Sequence, residues 1–292
     1  MILLGDARAI TQTLVPESVQ ACITSPPYWQ LRDYHHPNQI GLEQTPEQYI
    51  DELCVVFDGV HRALKADGTL WVNLGDGYFG AGSTTTQSND NARYASGKGI
   101  AGTHPGGSYG NRPIKPRTHP FLKPKDLIGL PWLLAFALQR RGWWLRQDII
   151  WHKPNPLPRP DKDRCTTAHE YIFLLSKSKQ YYFDHAAIQE PTEDGGTRNR
   201  RSVWTVPTRN PGVTNHATYP PGLIGPMLAA ATRPGDLVLD PFCGTATTGV
   251  VAIQAGRRFL GIEAHPNTHA TAAQALKGAQ RQSQLFWPKE PQ

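Results

Sequence analysis

The sequence predicts one large α/β fold built on a doubly wound sheet. Three observations support this prediction. The chain has 292 residues, of which 39% are hydrophobic, and this is enough for one large core. Helical and strand patterns alternate at both ends of the chain, as they do in doubly wound sheets. Charged residues make up only 18%, while 27 glycines and 26 prolines indicate long structured loops rather than a coiled coil or a disordered chain.

The first regular elements are two strands with a helix between them. Residues 19–24 form a short apolar run that ends before Pro26, because proline cannot donate to a strand ladder. Residues 49–64 carry apolar side chains at helical spacing, and residues 69–74 have the pattern of a strand. Such a helix–strand unit is typical of a doubly wound sheet.

The rest of the chain alternates irregular and regular segments. Residues 80–120 are rich in small and polar residues without an apolar period, which predicts a long loop that is flexible or that orders on a ligand. Residues 184–215 are polar, basic and irregular. Further helices are predicted near 125–141, 221–232, 247–255 and 266–279, and further strands near 144–151, 170–176, 236–239 and 259–263.

Positive charge is concentrated in the middle of the chain. The net charge is +6, but residues 1–110 carry 6 basic and 11 acidic side chains, residues 111–215 carry 18 and 9, and residues 216–292 carry 6 and 4. A dispersed excess would be typical of a solvated surface, whereas this basic middle favours a surface that faces a polyanion. The affinity of such a surface for nucleic acid is expected to fall steeply with added salt.

Several classes of protein are disfavoured. The four cysteines are far apart and lack zinc-site spacing, which indicates reduced thiols and no metal site. The N-terminus becomes polar after four residues, too soon for a signal peptide. The most apolar stretch, 127–138, is shorter than the roughly 20 residues that a bilayer span needs. A cytoplasmic location is therefore expected.

Two strand ends carry candidate chemistry. A strand ending at Asp240 is followed by small residues up to Gly249, and a later strand ends at Glu263. Small residues let a backbone approach a ligand, and the acid suits ribose hydroxyls. Ala246 stands where a dinucleotide fingerprint has its second glycine, which disfavours NAD but suits a nucleoside without phosphates. An ordinary tight turn with a surface glutamate is the alternative.

The second candidate follows the 19–24 strand as Ser25-Pro26-Pro27-Tyr28. The Ser25 hydroxyl and the Pro26 carbonyl offer two acceptors to an amino group, and Tyr28 offers a flat face for a base. The alternative is a strand terminator with a packed aromatic ring.

Together, Ser25–Tyr28 and Asp240–Thr245 resemble the motifs of amino-group DNA methyltransferases that use S-adenosylmethionine, in the β order of that family. The resemblance implies a Rossmann-like methyltransferase sheet with an inserted basic DNA-recognition region. Residues 1–154 would be the catalytic half, with 80–120 as a flexible loop, 155–215 the recognition insertion and 216–292 the cofactor-binding half. Further matching segments are Gly5–Ala7, Gly41–Glu43, Trp71–Asp76, Asp148–Pro156 and His169–Phe173. Cys243 and Ala246 depart from the family pattern.

The resemblance also implies the site residues. The catalytic residues would be Ser25, Pro26, Pro27 and Tyr28. The residues that bind S-adenosylmethionine would be Asp6, Thr218, Asp240, Phe242, Cys243, Gly244, Thr245 and Glu263. Asp6 would lie near the adenine amino group and Glu263 at the ribose, while Thr218 would contact the methionine end. A turn or helix cap is the alternative role for both Asp6 and Thr218.

The implied reaction is direct methyl transfer to an exocyclic amine of a flipped-out base. The Ser-Pro-Pro-Tyr form is more typical of enzymes that act on cytosine N4 than of those that act on adenine N6. No cysteine follows a proline, which disfavours methylation at cytosine C5. Methylation of adenine N6 on the same fold, and a catalytically silent DNA-binding accessory protein, stay open as alternatives.

Double-stranded DNA is the expected partner. Its candidate contacts in the basic region are Arg198, Arg200, Arg201 and Arg209, since arginine suits both guanine and phosphate. A solvated loop is the alternative for each. A second basic strip contains Arg159, Lys162 and Arg164, and the 80–120 loop could clamp the duplex from the other side. The sequence leaves a homodimer and a partner restriction nuclease open.

Overall fold

A computed structural model describes residues 1–34, 36–80, 118–156, 158, 161–208 and 219–286 of the chain. The strands are β1 (Ile2–Leu4), β2 (Val19–Thr24), β3 (Leu64–Leu74), β4 (Trp144–His152), β5 (His169–Ser176), β6 (Glu190–Pro191), β7 (Thr197–Arg198), β8 (Val203–Thr205), β9 (Leu237–Asp240) and β10 (Arg258–Glu263). The helices are α1 (Ala7–Thr11), α2 (Pro46–Ala63), α3 (Leu130–Arg140), α4 (Pro221–Ala231), α5 (Thr247–Gln254) and α6 (Pro266–Phe286).

Eight of these strands form one central sheet in the order β1-β10-β9-β2-β3-β5-β4-β8. The pairs from β1 to β3 are parallel. β5 is antiparallel to both of its neighbours, and β8 is parallel to β4. The predicted α/β fold with a large central sheet is therefore confirmed, and in that sheet β5 alone runs opposite to the other seven strands.

Helices cover both faces of the sheet, and each face has its own hydrophobic core. On β3, Leu70 and Val72 lie in the core that contains the apolar faces of α2 and α3. Trp71 points to the opposite core, with α4 and buried residues of α5 and α6. Successive side chains of a strand point to opposite faces, so a strand that is buried on both sides is apolar throughout.

The helix α2 shows how local sequence starts an element. The Thr45 side chain accepts a hydrogen bond from the Gln48 N–H, and the Gln48 side-chain oxygen accepts one from the Thr45 N–H. This reciprocal pair is a capping box. Pro46 occupies the first turn, where its missing N–H has no cost. The buried face of the helix, from Tyr49 to Val60, then packs against the sheet.

Most of the predicted elements are present, and the differences have local causes. β1 and α1 were not predicted, because they have only three and five residues. The helix expected from residue 125 begins at Leu130, because Gly129 has a φ of 81°. The strands β5 and β8, which belong to the central sheet, lie between residues 155 and 215. Most of the predicted 80–120 loop lies outside the described residues.

In the described part of the chain, no helix combines the length and apolar character that crossing a bilayer requires.

The close packing of α1 on α2 gives a stability prediction. A Cβ atom at Gly59 would lie 2.6 Å from Thr11 Oγ1 and 2.8 Å from the Thr11 backbone carbon, so Gly59→Ala should destabilise the fold by about 1–3 kcal/mol. The control is Gly278→Ala in α6, where no described atom lies within 4 Å of the added Cβ atom. That change should stabilise the helix by up to about 1 kcal/mol. Urea denaturation measures both, and equal stabilities would contradict the packing described here.

Candidate active site

The candidate site lies where β9 and β2 run side by side at the centre of the sheet. The two strands are parallel, so their carboxyl ends meet at one edge. Chain connections lead from β2 through α2 to β3 on one side and from β9 through α5 to β10 on the other. Where two adjacent strands connect in opposite directions, a crevice opens at their carboxyl ends, and ligands bind there in open α/β sheets. The fold therefore places both candidate motifs at this crevice.

A buried carboxylate joins the two motifs. Asp240, the last residue of β9, is 2% exposed and accepts hydrogen bonds of 2.6 Å from the hydroxyls of both Thr24 and Thr248. It also accepts the Phe242 N–H at 3.1 Å and the Tyr219 hydroxyl at 3.3 Å. Burial raises the pKa of Asp240, and these donors oppose the rise. The Asp240 side chain is thus occupied in holding the loops after β2 and β9 together.

Glu263 borders the crevice at the end of β10. Its carboxylate accepts the His265 N–H at 2.8 Å and also interacts with the backbone N–H of Gly244. Burial raises the pKa of Glu263 from its usual 4.5, and the backbone donors oppose the rise. Gly244 has a φ of 52°, and no described atom lies within 4 Å of the position that its Cβ would take. The Glu263 carboxylate therefore lies next to a glycine with open space at its Cβ position, and such a carboxylate can accept hydrogen bonds from ribose hydroxyls.

The other predicted residues of the loop after β9 have different environments. The Cys243 side chain is buried, and a Cβ atom on Gly261 would lie 2.8 Å from its sulfur. The Cys243 N–H donates to the Ile262 carbonyl at 3.0 Å, so this residue faces the core. Phe242 and Thr245 are partly exposed. Only these two and Gly244 therefore present surface from this loop to a ligand.

Asp6 caps the helix α1. Its carboxylate accepts the Arg8 N–H at 2.9 Å and forms an ion pair of 2.7 Å with the Arg8 guanidinium. Burial alone would raise the pKa of Asp6, but the hydrogen bonds and charge of Arg8 lower it overall. The Gly5 N–H donates to the Glu263 carbonyl, which places Asp6 next to the end of β10. The cap is present, and a contact with adenine stays a prediction.

The Ser25–Tyr28 loop is held by its neighbours. The buried Tyr49 hydroxyl donates to the Pro27 carbonyl at 2.7 Å. The Gln30 N–H donates to the Gly41 carbonyl at 2.6 Å, which closes the loop further along. These two bonds fix the backbone of the loop at Pro27 and beyond Tyr28.

Tyr28 contacts Glu170, which in turn pairs with Lys153, and neither of these charged residues was predicted as a site residue. Its hydroxyl donates to Glu170 Oε2 at 2.6 Å, and Lys153 Nζ bonds the other oxygen of Glu170. Burial raises the pKa of Tyr28 well above its usual range, Glu170 raises it further, and a hydrogen bond with the Ser25 side chain opposes the rise. A Cβ atom on Gly75 would lie 2.7 Å from the Tyr28 ring. Both residues lie in segments that match the family pattern, Lys153 in Asp148–Pro156 and Glu170 in His169–Phe173.

The arginines predicted to contact DNA make contacts within the protein. Arg198 and Arg201 form ion pairs with Glu190 at 2.8 and 2.6 Å, yet their side chains are 44% and 68% exposed. The Arg200 guanidinium lies 4.7 Å from the centre of the Trp204 ring. In the second basic strip, Arg164 stacks on Tyr78 at 4.1 Å. Arg209, Arg159 and Thr218 lie outside the described residues.

Comparisons with known proteins match most of the chain to DNA methylases. The sequence model of a DNA methylase family matches residues 19–274 of this chain. The type II methyltransferase M.Cfr9I of Citrobacter freundii is 46% identical over 274 residues, which cover 94% of this chain and 86% of that protein.

Two solved structures share the fold. The PvuII DNA methyltransferase, which is cytosine-N4-specific, has a TM-score of 0.66 at 19% identity, covering 97% of this chain and 91% of the other. A DNA modification methylase of Thermus thermophilus, complexed with S-adenosyl-L-methionine, has a TM-score of 0.61 at 24% identity, covering 96% and 95%.

Removal of the hydrogen bond between Thr24 and Asp240 should lower the stability of the protein measurably. Thr24→Val keeps the side-chain shape but removes one donor from a buried carboxylate, so the free energy of unfolding should fall by about 1–3 kcal/mol. The control is Thr13→Val, because the Thr13 hydroxyl is exposed and donates only to the Ile10 carbonyl. That change should cost less than about 0.5 kcal/mol. A Thr24→Val protein as stable as the wild type in urea would show that this contact does not hold the motifs together.

Proposed function

This chain belongs to the DNA methylase family that modifies amino groups of bases, and on that premise we propose that it methylates the exocyclic N4 of cytosine in duplex DNA. The observation that carries the proposal is the position of the Ser25–Tyr28 loop. The hydrogen bond between Thr24 and Asp240 fixes this loop beside the crevice that Gly244 and Glu263 border. An acceptor pair for an amine and a space for a nucleoside cofactor therefore share one edge of the sheet.

The methyl donor of this family is S-adenosylmethionine, which supplies a methyl group on a positively charged sulfur when it is bound. The crevice residues fit its nucleoside part, because the Glu263 carboxylate can accept hydrogen bonds from ribose hydroxyls beside the open space at Gly244. Phe242 and Thr245 would contact the rest of the cofactor through their exposed surfaces. Asp6, at the neighbouring strand end, would reach the adenine amino group with a carboxylate oxygen. Thr218 would contact the methionine end of the cofactor. Asp240 and Cys243 would contribute by fixing the shape of the cofactor-binding loop.

Residues of this chain would make the target amine reactive by holding it in the geometry that methyl transfer needs. The Ser25 oxygen and the Pro26 carbonyl would accept its two N–H bonds, which draws the nitrogen towards tetrahedral geometry and points its lone pair at the methyl group. Pro27 stiffens the loop, and the Tyr49 hydroxyl holds the Pro27 carbonyl. Acceptors that are already in place need no reorganisation during the reaction.

The target base would have to leave the duplex to reach this loop. A flipped base is commonly read by hydrogen bonds at its edge and by stacking on an aromatic side chain. Tyr28 supplies that face, and Gly75 leaves room for its ring. The basic region, with Arg198, Arg200, Arg201 and Arg209, would hold the flanking duplex. Arg198 and Arg201 can exchange their ion pairs with Glu190 for phosphates because ion pairs at the surface are weak.

Cytosine N4 is proposed as the target because serine occupies position 25, the pattern typical of cytosine-N4 enzymes. The family covers N4 and N6 methylation alike, so adenine N6 is the alternative that the experiment must separate. Similarity to type II methyltransferases supports a place beside a restriction nuclease with the same recognition site, in the cytoplasm of a bacterium. A homodimer is a further part of the proposal and is tested by the mass of the enzyme in solution.

The reaction itself is tested by identifying the methylated nucleoside. The enzyme is incubated with isotopically labelled S-adenosylmethionine and unmethylated bacterial genomic DNA, and the DNA is then hydrolysed for mass spectrometry. We expect labelled N4-methyl-2′-deoxycytidine, at least a hundredfold less of it with Ser25→Ala, and unchanged cofactor binding in that variant.

The matched control is Ser18→Ala, because the Ser18 hydroxyl is exposed and donates only to the Val15 carbonyl. Its activity should equal that of the wild type. Labelled N6-methyl-2′-deoxyadenosine in place of the cytosine product would overturn the choice of base. Binding of DNA without any transfer would favour the accessory-protein alternative.

The raised pKa of Glu263 predicts that cofactor affinity depends on pH. Ribose hydroxyls need the ionised carboxylate, and burial raises the pKa of Glu263 above 4.5, so its neutral form accumulates at a higher pH than in an ordinary glutamate. The dissociation constant of S-adenosylmethionine should therefore increase as the pH falls from 7.5 towards 5. Calorimetry should show that Glu263→Gln binds more weakly by about 1–3 kcal/mol at pH 7.5 and loses most of this pH dependence.

The control for the pH experiment is Glu47→Gln, which changes a glutamate at the start of α2 that pairs with His119. It should retain the wild-type affinity and pH dependence. An equally steep pH dependence in Glu263→Gln would show that another group causes it.

A further inference from the structure

We propose that Glu170, which is held by Lys153, fixes the ring of Tyr28 in the orientation that a flipped-out base needs for stacking. Glu170 would act through Tyr28 and is therefore a positioning residue. The inference rests on the proposed function, in which Tyr28 supplies the aromatic face for the target base. It adds the residues that hold this face in place.

The Tyr28 side chain reaches from the loop after β2 across the end of β3 to the start of β5. β3 lies between these two strands in the sheet. The Tyr28 hydroxyl donates to Glu170 Oε2 at 2.6 Å, and Asn73 Oδ1 of β3 lies 3.4 Å from the same hydroxyl. The Asn73 amide group donates in turn to the Tyr171 carbonyl at 3.1 Å. The hydroxyl end of Tyr28 is therefore anchored to two other strands.

The other parts of the Tyr28 side chain are also constrained. The Tyr49 hydroxyl donates to the Pro27 carbonyl at 2.7 Å, which holds the backbone directly before Tyr28. A Cβ atom on Gly75 would lie 2.7 Å from Tyr28 Cε2, so the Gly75 backbone lies close to one edge of the ring. The second torsion angle of a tyrosine otherwise has a broad range. With both ends anchored and one edge in contact, the tilt of the ring is set.

Lys153 holds Glu170 in place and balances its charge. The Lys153 ammonium group bonds Glu170 Oε1, the oxygen that Tyr28 does not use. The two side chains are only 17% and 15% exposed, and a carboxylate in such a place is costly without a partner. The Lys153 N–H donates to the Ala168 carbonyl at 2.7 Å, and its ammonium group lies 4.3 Å from the centre of the Trp151 ring. The acceptor for Tyr28 is therefore in position before a base arrives.

The orientation of the ring matters because stacking depends on geometry. A base stacks well only on a face to which it is nearly parallel, so a ring that tilts offers the base several poses. Methyl transfer needs one pose, in which the amine faces the Ser25 oxygen and the Pro26 carbonyl. A misplacement of about 1 Å can slow an enzymatic reaction by about a hundredfold. The hydrogen bond at the tip of the ring should therefore affect the rate of transfer rather than the binding of DNA or cofactor.

The test is a double-mutant cycle of Tyr28→Phe and Glu170→Leu, measured as the single-turnover rate of methyl transfer to unmethylated bacterial genomic DNA. Tyr28→Phe keeps the ring and removes its hydroxyl, whereas Glu170→Leu removes the acceptor. Each change should slow transfer by about tenfold to a hundredfold. Because both changes remove the same hydrogen bond, the double variant should be no slower than the slower single variant.

Glu170→Gln separates the hydrogen bond from the ion pair. The glutamine amide keeps an oxygen that can accept from the Tyr28 hydroxyl, but it has no charge to offer Lys153. This variant should transfer methyl groups about fivefold faster than Glu170→Leu, or faster still. If Glu170→Leu does not fold, Lys153→Met combined with Glu170→Leu takes its place, because that pair leaves no unpartnered charge behind.

The dissociation constants of S-adenosylmethionine and DNA should stay within about twofold in all variants, because the hydrogen bond is used in the transfer step and not in binding. A general loosening of the fold would weaken binding as well. The matched control is Tyr181→Phe, which removes a tyrosine hydroxyl that lies 3.3 Å from Arg146 Nε and should leave the rate unchanged.

A Tyr28→Phe enzyme with the wild-type rate would overturn the inference. Rate losses that multiply in the double variant, equal rates for Glu170→Gln and Glu170→Leu, or weakened cofactor binding would overturn it too. A wild-type enzyme that transfers no methyl group to any DNA would instead mean that the proposed function is wrong.

Discussion

The hydrogen bond between Thr24 and Asp240 is the contact on which the rest of the site depends. It joins residues 216 positions apart, and it does so where the adjacent parallel strands β2 and β9 lead to helices on opposite faces of the sheet. A buried carboxylate is costly unless donors satisfy it, and Asp240 has donors from Thr24, Thr248, Tyr219 and the Phe242 backbone. The loops after β2 and β9 must therefore meet in one arrangement for the protein to be stable. The site is thus built by the same contact that completes the core.

Small residues and backbone contacts complete the geometry around this contact. Gly261 leaves room for the Cys243 sulfur, and Gly75 leaves room for the Tyr28 ring. Tyr49 fixes the Pro27 carbonyl from the far side of the loop. Each contact removes freedom from a loop that would otherwise be mobile. Acceptors fixed before the substrate arrives are the physical basis of catalysis by positioning.

The sequence predicted the larger elements well, because their signals are local. Apolar runs and helical spacing located β2, α2, β9 and β10 within a few residues, whereas β1 was too short to produce a pattern. The partners of Asp240 could not be predicted, since an acid at a strand end has the same local signal whether it binds a ligand or holds a loop. The roles of Glu170 and Lys153 depend on the antiparallel register of β4 and β5, in which His152 pairs with His169. That register pairs residues that are distant in the sequence, so no local sequence pattern predicts it.

The central claim is that one crevice holds the cofactor at the β9 and β10 ends and presents its methyl group to the loop after β2. A crystal structure of the enzyme with S-adenosylmethionine tests this most directly. We expect the ribose hydroxyls on the Glu263 carboxylate, the nucleoside over Gly244, and the methyl group facing the space beside the Ser25 oxygen and the Pro26 carbonyl. A cofactor bound elsewhere, or bound with its methyl group turned away from Ser25, would contradict the account.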